Sequence, residues 1–241
     1  MAADTRIVRL LGKPVSGSLS PRMQNAAFAA AGLAWRYEAL EVEPEGLEAA
    51  VRALDVGANV TIPYKVAVLA CCDEVDAVAQ RADSVNTLVV REGRVLGSST
   101  DGLAVTGALG DVHGARALVL GAGGAARAVV AALETAGAEV RIASRSGEWP
   151  PDPHGADVLV NTTPVKDALL VEPHRDLQVV DLAYNADGSD TALVAAARSA
   201  GCAVVVDGLE ILLRQGAASF ERWTGLPAPV EAMRAALHGP Q

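Results

Sequence analysis

The chain has 241 residues, a formal net charge of −9, and a composition that is 51% hydrophobic but only 3% aromatic. The acidic balance, without any run of lysine and arginine, argues against a nucleic-acid-binding surface. Residues 1–15 contain no signal-peptide core, and no apolar stretch is long enough to span a bilayer. We therefore expect a cytoplasmic enzyme with no membrane and no nucleic-acid partner, and with a core of alanine, valine and leucine.

The cysteines and histidines give no support for a metal centre. Cys71, Cys72 and Cys202 lack the spacing of a metal site, and the four histidines are scattered. We expect the adjacent cysteines to be small buried groups in a helix, in a reducing compartment. No bound metal is predicted, and no nucleophile triad has support from spacing.

Helical and extended segments alternate along the first hundred residues, which indicates an α/β fold. The dipeptide Ser20-Pro21 predicts a helix start with Ser20 as N-cap and Pro21 at the first helical position. In chain order we expect a strand at Arg6–Leu11, a helix from Ser20 to about Ala31, a strand at Trp35–Val42, a helix at Pro44–Leu54, a strand at Ala58–Ile62, a helix from about Lys65, strands at Ser84–Arg91 and Arg94–Ser98, and a helix at Asp101–Leu109.

A glycine-rich turn between two apolar strands is the most informative feature of the second half. Strand Ala117–Leu120 enters a G-x-G-x-x-A turn at 121–126, and an alanine-rich helix to about Ala136 leads to strand Glu139–Ala143. In dinucleotide-binding proteins such glycines let the backbone approach the pyrophosphate, and the helix N-terminus supplies N–H donors and positive dipole. We therefore expect a dinucleotide here, contacted by Gly121, Ala122, Gly123, Gly124 and Ala125.

The residues after the second of these strands indicate which dinucleotide binds. An NAD-binding protein usually has aspartate or glutamate there for the ribose 2′-hydroxyl. This chain has Ser144, Arg145 and Ser146 instead. Because an arginine flanked by hydroxyls suits a 2′-phosphate, the sequence predicts NADP, with Ser144 and Arg145 as contacts.

The alternation continues to the end of the chain. A Pro-rich run at Trp149–Pro153 stands where a longer helical connection would be expected. The remaining predicted elements are strands at Val158–Asn161, Val179–Leu182 and Ala203–Val206, and helices at about 209–222 and 229–238.

Polar residues cluster at predicted turns and strand ends of the first half. Ser18 and Ser20 lie where hydroxyls and free N–H groups can bind a carboxylate, or can simply cap the helix. Asn59 and Thr61 point to one face of a strand, because side chains two residues apart do so.

Two ionisable residues lie close to these polar groups in the sequence. Lys65 begins the next predicted helix, as a candidate acid–base group or a solvated surface lysine. Asp101 follows the second strand of a predicted pair and is a candidate partner of Lys65 or a helix cap. Asn86, followed by Thr87, is a further polar residue at the end of an extended segment.

Ordered motifs along nearly the whole chain resemble those of the shikimate dehydrogenase family. They are Gly12-Lys13-Pro14-Val15, Ser18-Leu19-Ser20-Pro21, Asn25-Ala26-Ala27-Phe28, Asn59 to Lys65, Ser84-Val85-Asn86-Thr87, Thr100-Asp101-Gly102, Gly121 to Ala126, Val180 to Asn185, Gly208 to Ala217 and Trp223-Thr224-Gly225.

The resemblance implies an α/β protein of two lobes. Residues 1–101 and 208–241 would form the substrate-binding catalytic lobe, onto which the C-terminal helices pack. Residues 102–207 would form a Rossmann-type NADP-binding lobe. The implied activity is NADP-dependent interconversion of 3-dehydroshikimate and shikimate, a step of aromatic amino acid biosynthesis, by a monomer or a homodimer.

The resemblance also implies roles for individual residues. Lys65 and Asp101 would handle the proton while hydride passes between C3 of the substrate and the nicotinamide. The substrate itself would be bound by Ser18, Ser20, Asn59, Thr61, Lys65, Asn86, Asp101, Tyr184 and Gln215. Besides the turn at 121–125, the cofactor would be bound by Ser144, Arg145, Thr162 and Gly208.

Several positions depart from the family pattern. Gly17 and Gln24 stand where the family often has histidine, Ser99 replaces a common asparagine, and the segment at 161–166 lacks its usual glycine. The basic helix expected after Arg145 is also missing. These departures leave open a related dehydrogenase for quinate or an aminated shikimate, acceptance of NAD, or a non-catalytic binding protein on the same fold.

Overall fold

The structure, a computed structural model, describes residues 5–239. They form two compact units, one made of residues up to Thr100 and from Leu213 onward, the other of Asp101–Leu212. The strands are β1 (Arg6–Gly12), β2 (Trp35–Glu41), β3 (Gly57–Val60), β4 (Glu74–Val75), β5 (Thr87–Arg91), β6 (Arg94–Ser98), β7 (Arg116–Leu120), β8 (Glu139–Ala143), β9 (Val158–Asn161), β10 (Gln178–Asp181) and β11 (Val204–Val206). The α-helices are α1 (Ser20–Ala30), α2 (Leu47–Arg52), α3 (Ala77–Ala82), α4 (Asp101–Leu109), α5 (Gly124–Thr135), α6 (Ala192–Ala200), α7 (Gly208–Thr224) and α8 (Val230–His238).

The first unit is built on a six-stranded mixed sheet in the order β2-β1-β3-β5-β6-β4. Strand β1 pairs in parallel with β2 and β3, and β3 pairs antiparallel with β5. The C-terminal helices pack on this unit. The Phe28 and Phe220 rings lie 5.7 Å apart, and Trp223 Nε1 donates a 2.9 Å hydrogen bond to the carbonyl of Leu88.

The second unit is a Rossmann-type parallel sheet in the order β11-β10-β9-β7-β8. Its central strands β7 and β9 are buried except for Arg116 at the start of β7, as expected for a sheet covered on both faces. Helices α4 and α5 approach each other closely because Gly102 has no side chain. A Cβ at this position would lie 2.2 Å from the carbonyl oxygen of Ala128.

The connection from β8 to β9, all of which the structure describes, contains no α-helix. Instead Ser144 and Gly147 form a tight turn, with the Gly147 N–H donating to the Ser144 carbonyl at 2.9 Å. Asp157 then fixes the start of β9, since it accepts hydrogen bonds from the backbone and the guanidinium of Arg116 at 2.9–3.1 Å.

The predicted α/β fold with two lobes is confirmed, but two predicted helix starts are wrong. Ser20 is the first helical residue rather than the N-cap, and the Ser18 hydroxyl accepts a hydrogen bond from the Ser20 N–H at 3.2 Å. No α-helix begins at Lys65, because only a short 3₁₀ helix forms, at Ala67–Cys71. In the described part of the chain, no helix is long and apolar enough to cross a membrane.

Candidate active site

Polar residues of the first unit gather where β1 and β3 end. Because these strands are parallel, their C-terminal ends lie side by side, and the Lys13 N–H donates to the Ile62 carbonyl at 2.9 Å. Antiparallel β5 begins beside β3, so that Thr87 pairs with Asn59. The strand register therefore brings Asn59, Thr61 and Asn86 to one edge of the sheet.

Lys65 is held at this same edge by its backbone. Its carbonyl accepts a 2.7 Å hydrogen bond from the N–H of Val85, the residue before Asn86. The Asn86 amide is itself tied to Thr100, donating to its hydroxyl and accepting from its N–H, both at 2.8 Å. The segment Val85–Asn86 is thus bonded to the backbone of Lys65 on one side and, through the Asn86 side chain, to Thr100 on the other.

Helices α1 and α7 meet next to the predicted ligand Gln215. Gln24 Nε2 donates a 2.9 Å hydrogen bond to the carbonyl of Gly216, and a Cβ on Gly216 would lie 2.2 Å from Met23 Cε. Gln24 is fully buried, and its Oε1 has no hydrogen-bond partner. Gly216 therefore allows the close packing of α7 on the helix that begins at Ser20.

The glycine turn of the second unit has the features of a phosphate-binding site. Gly123 precedes α5 and provides no side-chain cap, so the free N–H groups of the first helical turn remain available to an anion. A Cβ on Gly123 would meet nothing within 4 Å, whereas one on Gly121 would lie 2.5 Å from Thr162 Oγ1. Open space at the helix start and glycine at the tight contact both fit a bound pyrophosphate.

Other predicted cofactor residues surround this turn. The Gly121 N–H donates to the Ala143 carbonyl at 2.9 Å, which places Ser144 and the exposed Arg145 beyond the end of the neighbouring strand. The Thr162 hydroxyl donates to the Leu120 carbonyl at 2.6 Å. The second unit therefore brings together Gly121, Thr162 and the start of the Ser144–Arg145 segment.

A buried carboxylate organises the loops that follow β9 and β10. Asp181 accepts hydrogen bonds from Thr191 Oγ1 at 2.6 Å, from Asn161 Nδ2 at 2.8 Å and from the Ala183 N–H at 2.9 Å. Burial raises the pKa of the Asp181 carboxyl, against the lowering effect of these three donors. Asp181 thereby fixes the segments that contain Thr162 and Tyr184.

Gly208 and Asp101 stand at the beginnings of two helices of this unit. A Cβ on Gly208 would lie 2.2 Å from the carbonyl oxygen of Ala183, so α7 can start here only with glycine. Asp101 is the first residue of α4 and is 6% exposed. The predicted substrate ligands thus divide by unit, with Asp101 and Tyr184 in the second and the remainder in the first.

Several buried polar residues escaped the sequence analysis, among them Tyr37, Asp181 and Ser219. Each makes at least one hydrogen bond to a residue distant in the chain, Tyr37 and Ser219 to Asn59 and Asp181 to Asn161, and no local motif marks such a pair. The position of Asp181 within the segment Val180 to Asn185 was the one available signal.

Two family models match the chain. One, described as the shikimate dehydrogenase substrate binding domain, covers residues 10–88. The other, described as the shikimate 5′-dehydrogenase C-terminal domain, covers residues 208–238. The first match covers the segment that supplies most polar residues of the first unit. The second covers helices α7 and α8.

Curated relatives and solved structures agree with these matches. The shikimate dehydrogenase (NADP(+)) of Methanopyrus kandleri is 42% identical over an alignment of 280 residues, covering 98% of this chain and 96% of the relative. Since this chain has 241 residues, the relative contains segments that it lacks. The Aquifex aeolicus shikimate dehydrogenase structure superposes with a TM-score of 0.89 at 33% identity, covering 99% of this chain and 100% of that one.

A ligand-bound structure is also similar over almost the whole chain. Shikimate 5-dehydrogenase from Thermus thermophilus, in complex with NADP(H) and shikimate, has a TM-score of 0.83 and 35% identity, covering 97% of this chain and 98% of that one. Identity at this level over both units establishes common descent of the whole chain and not of one lobe alone. The chain belongs to the shikimate dehydrogenase family.

Proposed function

We propose that the chain is an NADP-dependent shikimate dehydrogenase, which reversibly reduces 3-dehydroshikimate to shikimate in aromatic amino acid biosynthesis. The observation that carries this proposal is the 42% identity to an NADP-dependent shikimate dehydrogenase over 98% of the chain. The polar edge of the first unit and the glycine turn of the second support it, because a polyhydroxy acid and a dinucleotide need these two kinds of site.

The second unit would hold NADP(H). Gly121, Ala122, Gly123, Gly124 and Ala125 would place backbone N–H groups and the α5 terminus against the pyrophosphate. Ser144 and Arg145 would bind the 2′-phosphate. Thr162 and Gly208 would also contact the cofactor. When bound, the nucleotide supplies or takes up the hydride, which is the chemistry that no side chain provides.

The substrate would be held mainly by groups of the first unit. Ser18 and Ser20 would bind its carboxylate through hydroxyl and N–H donors at the start of α1. Its hydroxyl groups would be bound by Thr61, Asn86, Asp101, Tyr184 and Gln215. A site of this kind discriminates strongly, because an analogue that lacks one hydroxyl leaves a buried partner unpaired.

Lys65 and Asp101 would move the proton. In the reduction, this pair would give a proton to the carbonyl oxygen at C3, and in the oxidation it would remove the proton from the C3 hydroxyl. An ammonium and a carboxylate together also orient the reacting oxygen by hydrogen bonds.

We place the enzyme in the cytoplasm as a monomer or a homodimer. All three cysteines are free thiols in the structure, which suits a reducing compartment. Burial raises the pKa of the Cys72 thiol to about 11, so this thiol stays protonated and unreactive at neutral pH.

The proposal is tested by following NADPH formation from shikimate with the purified protein, and by repeating the assay with quinate and with NAD. Turnover of shikimate with NADP supports it. Robust turnover of quinate without turnover of shikimate would assign the chain to the alternative, a quinate-type dehydrogenase.

A further inference from the structure

A continuous line of buried hydrogen bonds crosses the first unit from β2 to α7. The Tyr37 hydroxyl donates to Asn59 Oδ1 at 2.9 Å, and Asn59 Nδ2 donates to Ser219 Oγ at 2.9 Å. Tyr37 is 2% exposed, Asn59 5% and Ser219 0%. These three residues therefore interact inside the protein, shielded from solvent.

The nitrogen of the Asn59 amide is fully committed to this network. Besides Ser219, its nitrogen reaches the carbonyl of Asn86 at 3.1 Å and the hydroxyl of Thr87 at 3.2 Å. An amide nitrogen has two hydrogens, so three acceptors leave none for a ligand. The structure thus favours a supporting part for the Asn59 nitrogen over direct donation to substrate.

The network ends on two of the proposed substrate ligands. On one side the Thr87 hydroxyl, 2.8 Å from Ser219 Oγ, donates to Asn86 Oδ1 at 3.0 Å. On the other side Ser219 Oγ lies 3.0 Å from the carbonyl oxygen of Gln215, one turn earlier in α7. The single hydroxyl hydrogen of Ser219 is shared between Thr87 and that carbonyl.

We propose that Tyr37, Asn59 and Ser219 are positioning residues, which fix the side chain of Asn86 and the Gln215 turn of α7 for substrate binding. Burying polar groups is costly unless every group is satisfied, and a satisfied network holds its members in one arrangement. The two groups held here lie on different parts of the unit, since Asn86 directly precedes β5 and Gln215 is in α7. This inference rests on the proposed function.

Two conservative variants remove single links of the network. Tyr37→Phe deletes only the hydroxyl and keeps the ring that packs 6.0 Å from Trp223. Ser219→Ala deletes the hydroxyl that joins β3, β5 and α7. Each should raise the KM for shikimate about tenfold, which corresponds to one misplaced hydrogen bond. The KM for NADP should stay within about twofold, because the network lies outside the nucleotide-binding unit.

Thr224→Ala is a matched control on the same helix. Like Ser219, Thr224 donates from its hydroxyl to the carbonyl four residues earlier, at 2.9 Å, but it lies outside the network. Thermal unfolding is measured for all three variants alongside their kinetics. Thr224→Ala should lower Tm and leave both KM values unchanged.

A selective rise in the shikimate KM for Tyr37→Phe and Ser219→Ala supports positioning. If Tyr37→Phe and Ser219→Ala lower Tm and leave both KM values unchanged, as Thr224→Ala should, the network serves only stability and the inference is overturned. Should Ser219→Ala not fold, Tyr37→Phe decides alone. If the wild-type protein does not oxidise shikimate, the proposed function fails, and the inference falls with it.

Discussion

The guanidinium of Arg141 donates a 2.6 Å hydrogen bond to Glu148 and so closes the turn that carries Arg145. Within the turn, the Ser144 N–H donates to the Glu148 carbonyl at 3.1 Å. The turn replaces the helix that would otherwise follow β8, so the group that we assign to the 2′-phosphate stands on a short, closed loop.

Arg145→Ala should weaken NADP binding much more than NAD binding. A charge-assisted hydrogen bond contributes about 1.5–3 kcal/mol, so we expect the KM for NADP to rise about tenfold to a hundredfold. The KM for NAD should change less than about twofold, because NAD has no 2′-phosphate. The measurement is initial rates of shikimate oxidation with each nucleotide, and equal effects on both would contradict the assignment.

Glu148→Gln should have a smaller effect of the same kind. It removes the charged partner of Arg141 and loosens the turn, but the pair is exposed, so we expect only about a threefold rise in the KM for NADP. Glu74→Gln is the matched control, since Glu74 forms a similar exposed pair with Arg94 at 2.7 Å in the other unit. Identical KM values for the two variants would mean that the turn does not position Arg145.

Lys65→Ala should lower kcat about 10²- to 10⁴-fold, the usual loss when an acid–base group is removed. The dissociation constant for NADP, measured by calorimetry, should not change. Lys13→Met controls for loss of a lysine charge, because the Lys13 ammonium is paired with Glu43. An undiminished kcat for Lys65→Ala would remove Lys65 from the proton transfer.

Asp157→Asn should destabilise the protein in a pH-dependent manner. Hydrogen bonds from the Arg116 side chain and backbone lower the pKa of Asp157 from 3.8 to about 2. A lowered pKa means that the ionised carboxylate stabilises the fold above about pH 4, and that this contribution is lost as the pH falls through about 2. The difference in Tm between wild type and variant should therefore close between these values.

The pH experiment has its own control. Asp176 is an exposed aspartate whose carboxylate lies 3.9 Å from Nδ1 of His174. Asp176→Asn should show no comparable dependence, and a gap for Asp157→Asn that persists at pH 2 would contradict the linkage.

The sequence predicts regular elements well where local signals are strong. The glycine turn, the helix Asp101–Leu109 and the parallel strands around them follow from apolar periodicity and glycine spacing. The helix predicted from Lys65 does not form, because the Lys65 carbonyl accepts a hydrogen bond from the N–H of Val85. Helix propensity does not register such a tertiary contact.

The site was predicted less completely than the fold. The pairing of Asn59 with Ser219 joins residues 160 positions apart, and nothing in either local sequence indicates it. The resemblance suggested Asn59 as a ligand, and in the structure both hydrogens of its amide nitrogen are used within the protein. Whether a polar group remains available to a ligand depends on how the side chains pack, and the local sequence does not show this packing.

The most direct test of the account is the rate of NADPH formation from shikimate by the purified wild-type protein, with quinate and NAD in parallel assays. We predict turnover of shikimate with NADP at a kcat/KM well above that for quinate or for NAD. No detectable NADPH formation from shikimate, with a folded protein that still binds NADP, would contradict the account.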